Sequence, residues 1–409
     1  MPSIQVFRRA YMQGYGSDRG PWRYRLFPEH VLRAQILKRC TTSISSDGSS
    51  LGASIQPHDG SANEDRYLIV DLSLPNGVWS LNCVFDGHGG HETADYLVAE
   101  LPSLLVAGLL PTVANLEGVS DVLTRAVFDV DEAIKRDFLE VFPEEVEEIA
   151  TMSDTTVKTR VNDQSSGGRN HQKALRCLRG STILLTLVDP TRKHLWVLNL
   201  GDGVVVLGSR RDASSQWDAS ILSDNHNASN PAEVDRIKRQ HPDEPECVFD
   251  DRVLGNLAVT RAVGDHAFKL PRIYTEKIFL NVEPGFRVPA VIESLIPRNL
   301  SPPYVSNLAS VRYVDLREQS SCDYFILMCS DGLGDLYADD PNRVESLTSL
   351  VQKWVGIVGD VVRDDIQEAM LRLLRHALGA EDIDDVSRML SVEMPVAYMD
   401  DTTVILQVL

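Results

Sequence analysis

NCVFDGHGGHETADYL, residues 82–97, carries an apolar run straight into Asp86-Gly87-His88-Gly89-Gly90 and then into what reads as a helix. The run that ends at Phe85 has no helical period and reads as a strand. A carboxylate, an imidazole and three glycines therefore stand together at a strand tip, where glycine lets the backbone approach a neighbouring group closely.

The pattern recurs along the chain. RYLIV (66–70), WSLNCVF (79–85), STILLTLV (181–188), HLWVLNL (194–200), GVVVLGS (203–209), YFILMCS (324–330) and TTVILQVL (402–409) all read as strands. Asp86, Asp202 and Asp331 follow three of them, while Glu64-Asp65 and Asp400-Asp401 precede two others. In an antiparallel sheet the end of one strand lies beside the start of its neighbour, so both sets can meet on a single edge. Carboxylates brought that close oppose one another's ionisation unless hard divalent cations sit among them. An oxygen-only set favours Mg²⁺ or Mn²⁺ over Zn²⁺. Two such ions can share and acidify a water and neutralise a phosphoryl group. His88, two residues from Asp86, is then placed to protonate a leaving oxygen. Each tripeptide taken singly is a common turn; the conjunction carries the reading.

Composition narrows the field. The 409 residues are 43% apolar, enough to bury a sizeable core, and carry 40 basic against 59 acidic side chains for a net charge of −19. That balance, without a basic stripe, disfavours nucleic acid as a partner, and with it a two-metal nuclease. The longest apolar candidate, residues 97–113, is broken by Glu100, Pro102 and Pro111, so no membrane span is expected. Six cysteines without a CxxC pair fit reduced, mostly buried thiols of an intracellular protein. Residues 1–40 are locally basic, with eight Lys/Arg against Asp18 and Glu29. Residues 1–54 read as a basic arm or a presequence, which leaves the mitochondrial matrix and the cytoplasm both open.

One domain is expected over 55–409, with helices of 3.6-residue period between the strands. SNPAEVDRI announces a helix start, with Asn230 as cap, Pro231 at the first position and Glu233 completing a capping box. Two stretches, Thr151–Arg176 and Leu270–Leu308, read as loops or insertions that form no core.

These residues resemble the metal-dependent serine/threonine protein phosphatases of type 2C, the PPM family. The resemblance rests on NEDRY (63–67), VFDGHGG (84–90), GSTILLTLV (180–188), LNLGDG (198–203), DRVLGNLAVTRAVGD (251–265), CSDGLGD (329–335) and DDTTVIL (400–406), in family order. It covers the chain from about residue 60 onward. LSDNHNASNPAEVDRIKRQHP (222–242) and SPPYVSN (301–307) look closest to the pyruvate dehydrogenase phosphatase branch.

The resemblance implies an α+β fold, an antiparallel β-sandwich flanked by α-helices, with two Mg²⁺ or Mn²⁺ ions at one end. Asp86 would bridge the ions and Gly87 would lend its carbonyl. Asp331 and Asp400 would hold one ion, Glu64 would help hold the other, and Asp65 would act through water. His88 matches the general acid, and Asp202 and Asp335 match a weaker third site. The implied reaction is hydrolysis of phosphoserine or phosphothreonine in a protein substrate by a monomer, with no phospho-enzyme. Two departures stand out: Gly60 replaces a phosphate-gripping arginine, with His58 or Arg66 as nearby substitutes, and Gly334 replaces a bulky tryptophan. They keep open an alternative, a phosphatase-like binding or regulatory module with little turnover. For Arg261, in the 251–265 stretch, a buried ion pair is expected rather than catalysis.

Overall fold

The computed structural model describes residues 6–12, 20–58, 60, 62–113, 116–143, 145–286, 289–319, 323–338 and 346–409. Two antiparallel sheets stack face to face. The first runs, edge to edge, Ser310–Asp315, His194–Leu200, Ile183–Val188, Gly77–Phe85, Arg66–Leu74. The second runs Asp218–Ile221, Val204–Arg210, Asp323–Cys329, Thr402–Val408, Ser50–Ile55, Cys40–Ile44.

The apolar runs lack polar alternation because both faces of these strands are covered. In Asp323–Cys329, Ile326 and Met328 face the other sheet while Phe325 and Leu327 face helices. In Ile183–Val188, Leu184 and Val188 face inward between the sheets and Leu185 and Leu187 face the opposite helical layer. The helices Glu92–Leu109, Val119–Leu139 and Arg169–Leu178 cover the first sheet. Glu29–Arg39, Leu347–Gly359, Ile366–Leu378 and Ile383–Ser391 cover the second.

A polar seam crosses the space between the sheets. Asn82 donates to Ser50 Oγ at 3.3 Å and Gln407 donates to Ser80 Oγ at 3.0 Å. Each bond nets about 1 kcal/mol, but a buried partner left unmatched costs about 1–3 kcal/mol, so the seam selects one stacking of the sheets more than it strengthens it.

All seven strand runs are present, with STILLTLV divided into Gly180–Ser181 and Ile183–Val188. The N-terminal region differs from the basic arm read there. Val6–Ala10 and Trp22–Leu26 pair as a hairpin, Leu32 and Ile36 of the following helix are fully buried, and both Cys40–Ile44 and Ser50–Ile55 enter the second sheet. The 54/55 boundary thus falls inside a strand whose six residues are all buried. Its small residues have a steric cause: a Cβ on Gly52 would lie 2.5 Å from Tyr67 Cε2.

Both supposed loops are corrected as well. Residues 151–176 include the helix Asp154–Val161 and most of Arg169–Leu178, burying Val157, Val161 and Leu175. Residues 270–308 include Arg272–Lys277 and Pro289–Leu295, and bury Ile278, Phe279 and Tyr304 in the same core. Asn230 caps its helix through Ala232 N–H at 3.0 Å. Glu233 does not complete the box: its carboxylate is taken by Arg261, Arg236 and the Thr260 hydroxyl. The described cysteines are free thiols, Cys40 half-buried and the other four buried; Cys322 lies outside the described residues. Among the described residues, no helix is long and apolar enough to cross a membrane.

Candidate metal centre

The strand tips converge as their positions in the sheets require. Asp86, Asp202 and Asp331 present carboxylate oxygens within 4.8 Å of one another, and Asp331, Asp335 and Asp400 do the same, so Asp331 joins both groups. Asp86 is held where Gly77–Phe85 ends, its carbonyl accepting Thr182 N–H at 2.9 Å. Gly87 packs so tightly that a Cβ there would lie 2.4 Å from the Glu64 carbonyl oxygen, which brings the Glu64 loop onto the Asp86 turn. From the second sheet, Asp401 Oδ2 accepts Glu64 N–H at 2.6 Å, and its Oδ1 accepts the Gln56 amide at 2.8 Å. Ser330 Oγ donates to Asp65 Oδ2 at 2.9 Å, and Asn227 donates to Asp202 Oδ2 at 2.6 Å.

The electrostatics are those of a site short of positive charge. Burial, then Asp65, Asp331 and Asp202, raise Asp86 well above the carboxylate range. Burial, then Asp202 and Asp400, push Asp331 up to about 7. Asp65 and Asp202 are raised too, chiefly by burial. Among the described residues, the buried Oδ1 atoms of Asp65 and Asp202 have no hydrogen-bond donor. Unsatisfied oxygens and mutually repelling carboxylates fit a hard divalent cation, which would supply the missing charge.

His88 stands beside this cluster on a three-stranded ribbon in which Gly87–His88 pairs with Gly180–Ser181, and that pair with Val263–Gly264. Its Nε2 lies 2.6 Å from Asp265 Oδ2. Burial opposes a charge on the imidazole, but Asp265, with Asp202 and Glu64 behind it, outweighs that and holds His88 above its ordinary value. Gly180 makes the pair possible: a Cβ there would lie 2.0 Å from His88 Nε2 and 2.2 Å from Asp265 Oδ2.

The two proposed substitutes for the phosphate-gripping arginine are placed differently. Arg66 is engaged by Asp95 at 2.6 Å and by the carbonyls of Asn63 and Asp65, as a clamp on its own loop. His58 contacts the Met394 carbonyl through Nε2 at 3.0 Å. Gly334 lies in the helix Gly332–Ala338, with nothing among the described residues within 4 Å of where its Cβ would be. Arg261 forms the expected ion pair, with Glu233.

Sequence reasoning passed over Asp265, Gly180 and Ser330, and counted Asp401 only among the strand-tip carboxylates without its role as acceptor for the Glu64 amide. All four sit inside the quoted family segments, but the contacts that give them a role cross from one strand tip to another.

Residues 61–384 match the family described as protein phosphatase 2C. A protein phosphatase 2C homolog of Schizosaccharomyces pombe is 27% identical over 364 residues, covering 83% of this chain and 76% of that protein. The human mitochondrial [pyruvate dehydrogenase [acetyl-transferring]]-phosphatase 2 is 26% identical over 404 residues, covering 83% and 74%. The crystal structure of serine-threonine phosphatase 2C from Toxoplasma gondii superposes with a TM-score of 0.50 over 90% of this chain and 99% of that one, at 15% identity, and so shares the fold. With the family match spanning most of the sandwich and both tiers of the acidic cluster up to Asp335, the chain belongs to the protein phosphatase 2C family of metal-dependent serine/threonine protein phosphatases.

Proposed function

We propose that Asp86, Gly87, Glu64, Asp331 and Asp400 hold two Mg²⁺ or Mn²⁺ ions, with Asp86 shared between them and Asp65 acting through water. The convergence of two carboxylate triads on Asp331 carries this reading. Asp335 acts electrostatically on Asp202, which supports a further, weaker ion between those two. When bound, the ions acidify a water and neutralise the phosphoryl charge.

The remaining work falls to the chain. The Asp65, Asp202 and Asp401 carboxylates are held by Ser330, Asn227 and the Glu64 amide, so the set that would receive the ions has little freedom to reorient. His88 has its Nε2 committed to Asp265, so Nδ1 is the nitrogen that delivers a proton to the departing seryl or threonyl oxygen. No nucleophilic side chain is needed, and no phospho-enzyme forms. Every residue named comes from one chain, so a monomer suffices.

The substrate class is a phosphorylated protein. Similarity to a mitochondrial pyruvate dehydrogenase phosphatase supports a substrate of that kind and a matrix location. The test is phosphate release from a phosphothreonine peptide with Mg²⁺ or Mn²⁺, with chelator, and in Asp86→Ala and Asp331→Ala. Metal-dependent release that both substitutions abolish is expected; turnover retained by either variant removes that residue from the centre.

A further inference from the structure

A groove of roughly 590 Å³ opens beside the Gly60 loop, between the N-terminal hairpin, the end of the helix Glu29–Arg39 and residues 390–395. Phe7, Phe27, Pro57 and Val392 give it apolar walls, and Arg25, Lys38 and Arg39 give it positive charge. Among the described residues, Glu393 is the one carboxylate that lines it. In a chain of net charge −19, such a concentration of cations stands apart.

How these cations are used distinguishes them from their neighbours. On the same hairpin and helix, Arg8 is paired with Asp384 and Arg33 with Glu368, which tie the N-terminal segment to the helical layer. Arg25 instead lies over the Phe27 ring at 5.2 Å, and among the described residues neither Arg25 nor Lys38 has a carboxylate at ion-pair distance. Arg39 bonds Gln35 and also stacks toward Phe27. The rigid anchoring of the groove adds to this: Arg25 exchanges backbone hydrogen bonds with Ser391 Oγ, and Phe27 N–H donates to Ser387 Oγ at 3.0 Å.

The groove borders the segment that runs into Glu64 and Asp65 of the candidate metal centre. His58 and Gly60 line it, Gln56 holds Asp401, and Gly60 lies four residues before Glu64, a separation of at most about 14 Å. An extended peptide rises about 3.3 Å per residue, so about four residues of substrate cover that distance.

Resting on the phosphatase reading above, we propose that this groove docks an acidic segment of the phosphoprotein substrate, about four to seven residues from the phosphorylated side chain, with its carboxylates on Arg25 and Lys38 and an apolar side chain against Phe7 and Pro395, the exposed apolar residues of its lining. The docking also offsets the repulsion that a protein of net charge −19 exerts on a polyanionic substrate.

The test uses the full chain and three phosphothreonine peptides: glutamates four to seven positions before the phosphothreonine, the same block after it, and glutamines in place of both. One acidic peptide is expected to show a KM about tenfold below the glutamine peptide at similar kcat, with the difference erased by 0.5 M NaCl. The double variant Arg25→Glu/Lys38→Glu is expected to lose that preference, and Arg25→Gln/Lys38→Gln to halve it in logarithmic terms, which guards against misfolding in the reversed-charge protein. Equal KM values in the wild type, a preference retained by both variants, or a doubled molecular mass showing a second copy seated in the groove would each overturn the proposal. Failure of the phosphatase reading is separate: it shows as no hydrolysis of p-nitrophenyl phosphate or of any peptide with either metal. Even then, fluorescence anisotropy of the labelled peptides under chelator reads the groove directly, with tenfold tighter binding of the acidic peptide expected and equal binding overturning it.

Discussion

Asp265 Oδ2 lies 2.6 Å from His88 Nε2, and the backbone that carries Asp265 sits at a φ of +52° to place it there. A non-glycine residue in that region is uncommon and costs roughly 1 kcal/mol or more, which is tolerated where the surroundings hold it. Here the Asp265 amide is fixed by the Arg179 carbonyl at 2.9 Å.

If this pair serves as proton donor, His88→Ala lowers kcat on a phosphothreonine peptide by about 10²–10⁴. The same variant loses much less on p-nitrophenyl phosphate, whose leaving group departs without a proton. Asp265→Asn is expected to follow the same split with a smaller loss. Equal losses on the two substrates would take His88 out of the proton-donor role.

Gly180→Ala strikes the pair first, because the three atoms nearest its Cβ, at 2.0–2.5 Å, all belong to His88 and Asp265. Peptide turnover should fall as far as in His88→Ala. The rise in melting temperature on adding Mn²⁺ should persist, and its disappearance would show that the ribbon supports the metal centre as well.

In the ion-free protein, Asp331 has a folded-state pKa near 7, above the carboxylate value of an unfolded chain. The folded state therefore binds more protons across that interval, and the stability this confers is lost as pH rises through about 7. Divalent ions compete with those protons. Mg²⁺ or Mn²⁺ should raise the melting temperature little at pH 5.5 and strongly at pH 8, and Asp331→Asn should flatten the difference. A shift independent of pH would contradict the assignment.

Gly334 occupies an open position in the helix Gly332–Ala338, where a Cβ would meet nothing within 4 Å among the described residues. Gly334→Ala should stabilise the protein by about 0.5–1 kcal/mol through helix propensity alone. Urea denaturation of the two proteins measures it, and a loss of stability would mean that glycine serves an approach not apparent in the packing.

What was legible in the sequence followed from pattern strength. Strands such as His194–Leu200, apolar on both faces, announced themselves, and the carboxylates at their tips followed at once. Ser50–Ile55 did not, because the close approach of Tyr67 to Gly52 selects small residues that read as a linker. The helices within 151–178 were hidden in the same way: their polar faces dominate the composition, and Val157 and Val161 gain meaning only once a core receives them. Glu233 shows the limit of local rules, since its spacing from Asn230 fits a capping box while two arginines and a threonine claim it in space. Asp265 stayed hidden because its partner lies 177 residues away.

The hydrogen bond from Glu64 to Asp401 joins residues 337 positions apart, and the strand that begins at Thr402 lies inside the second sheet, between Ser50–Ile55 and Asp323–Cys329. A ribosome making this chain at about 5–20 residues per second therefore releases Glu64 some tens of seconds before Asp401 exists. Until Thr402–Val408 emerges, the second sheet lacks the strand that lies between Ser50–Ile55 and Asp323–Cys329, and the Glu64 amide lacks its Asp401 acceptor. A nascent chain that has not yet released Asp400 and Asp401 lacks part of its carboxylate set and is expected to release no phosphate from phosphoproteins around the ribosome.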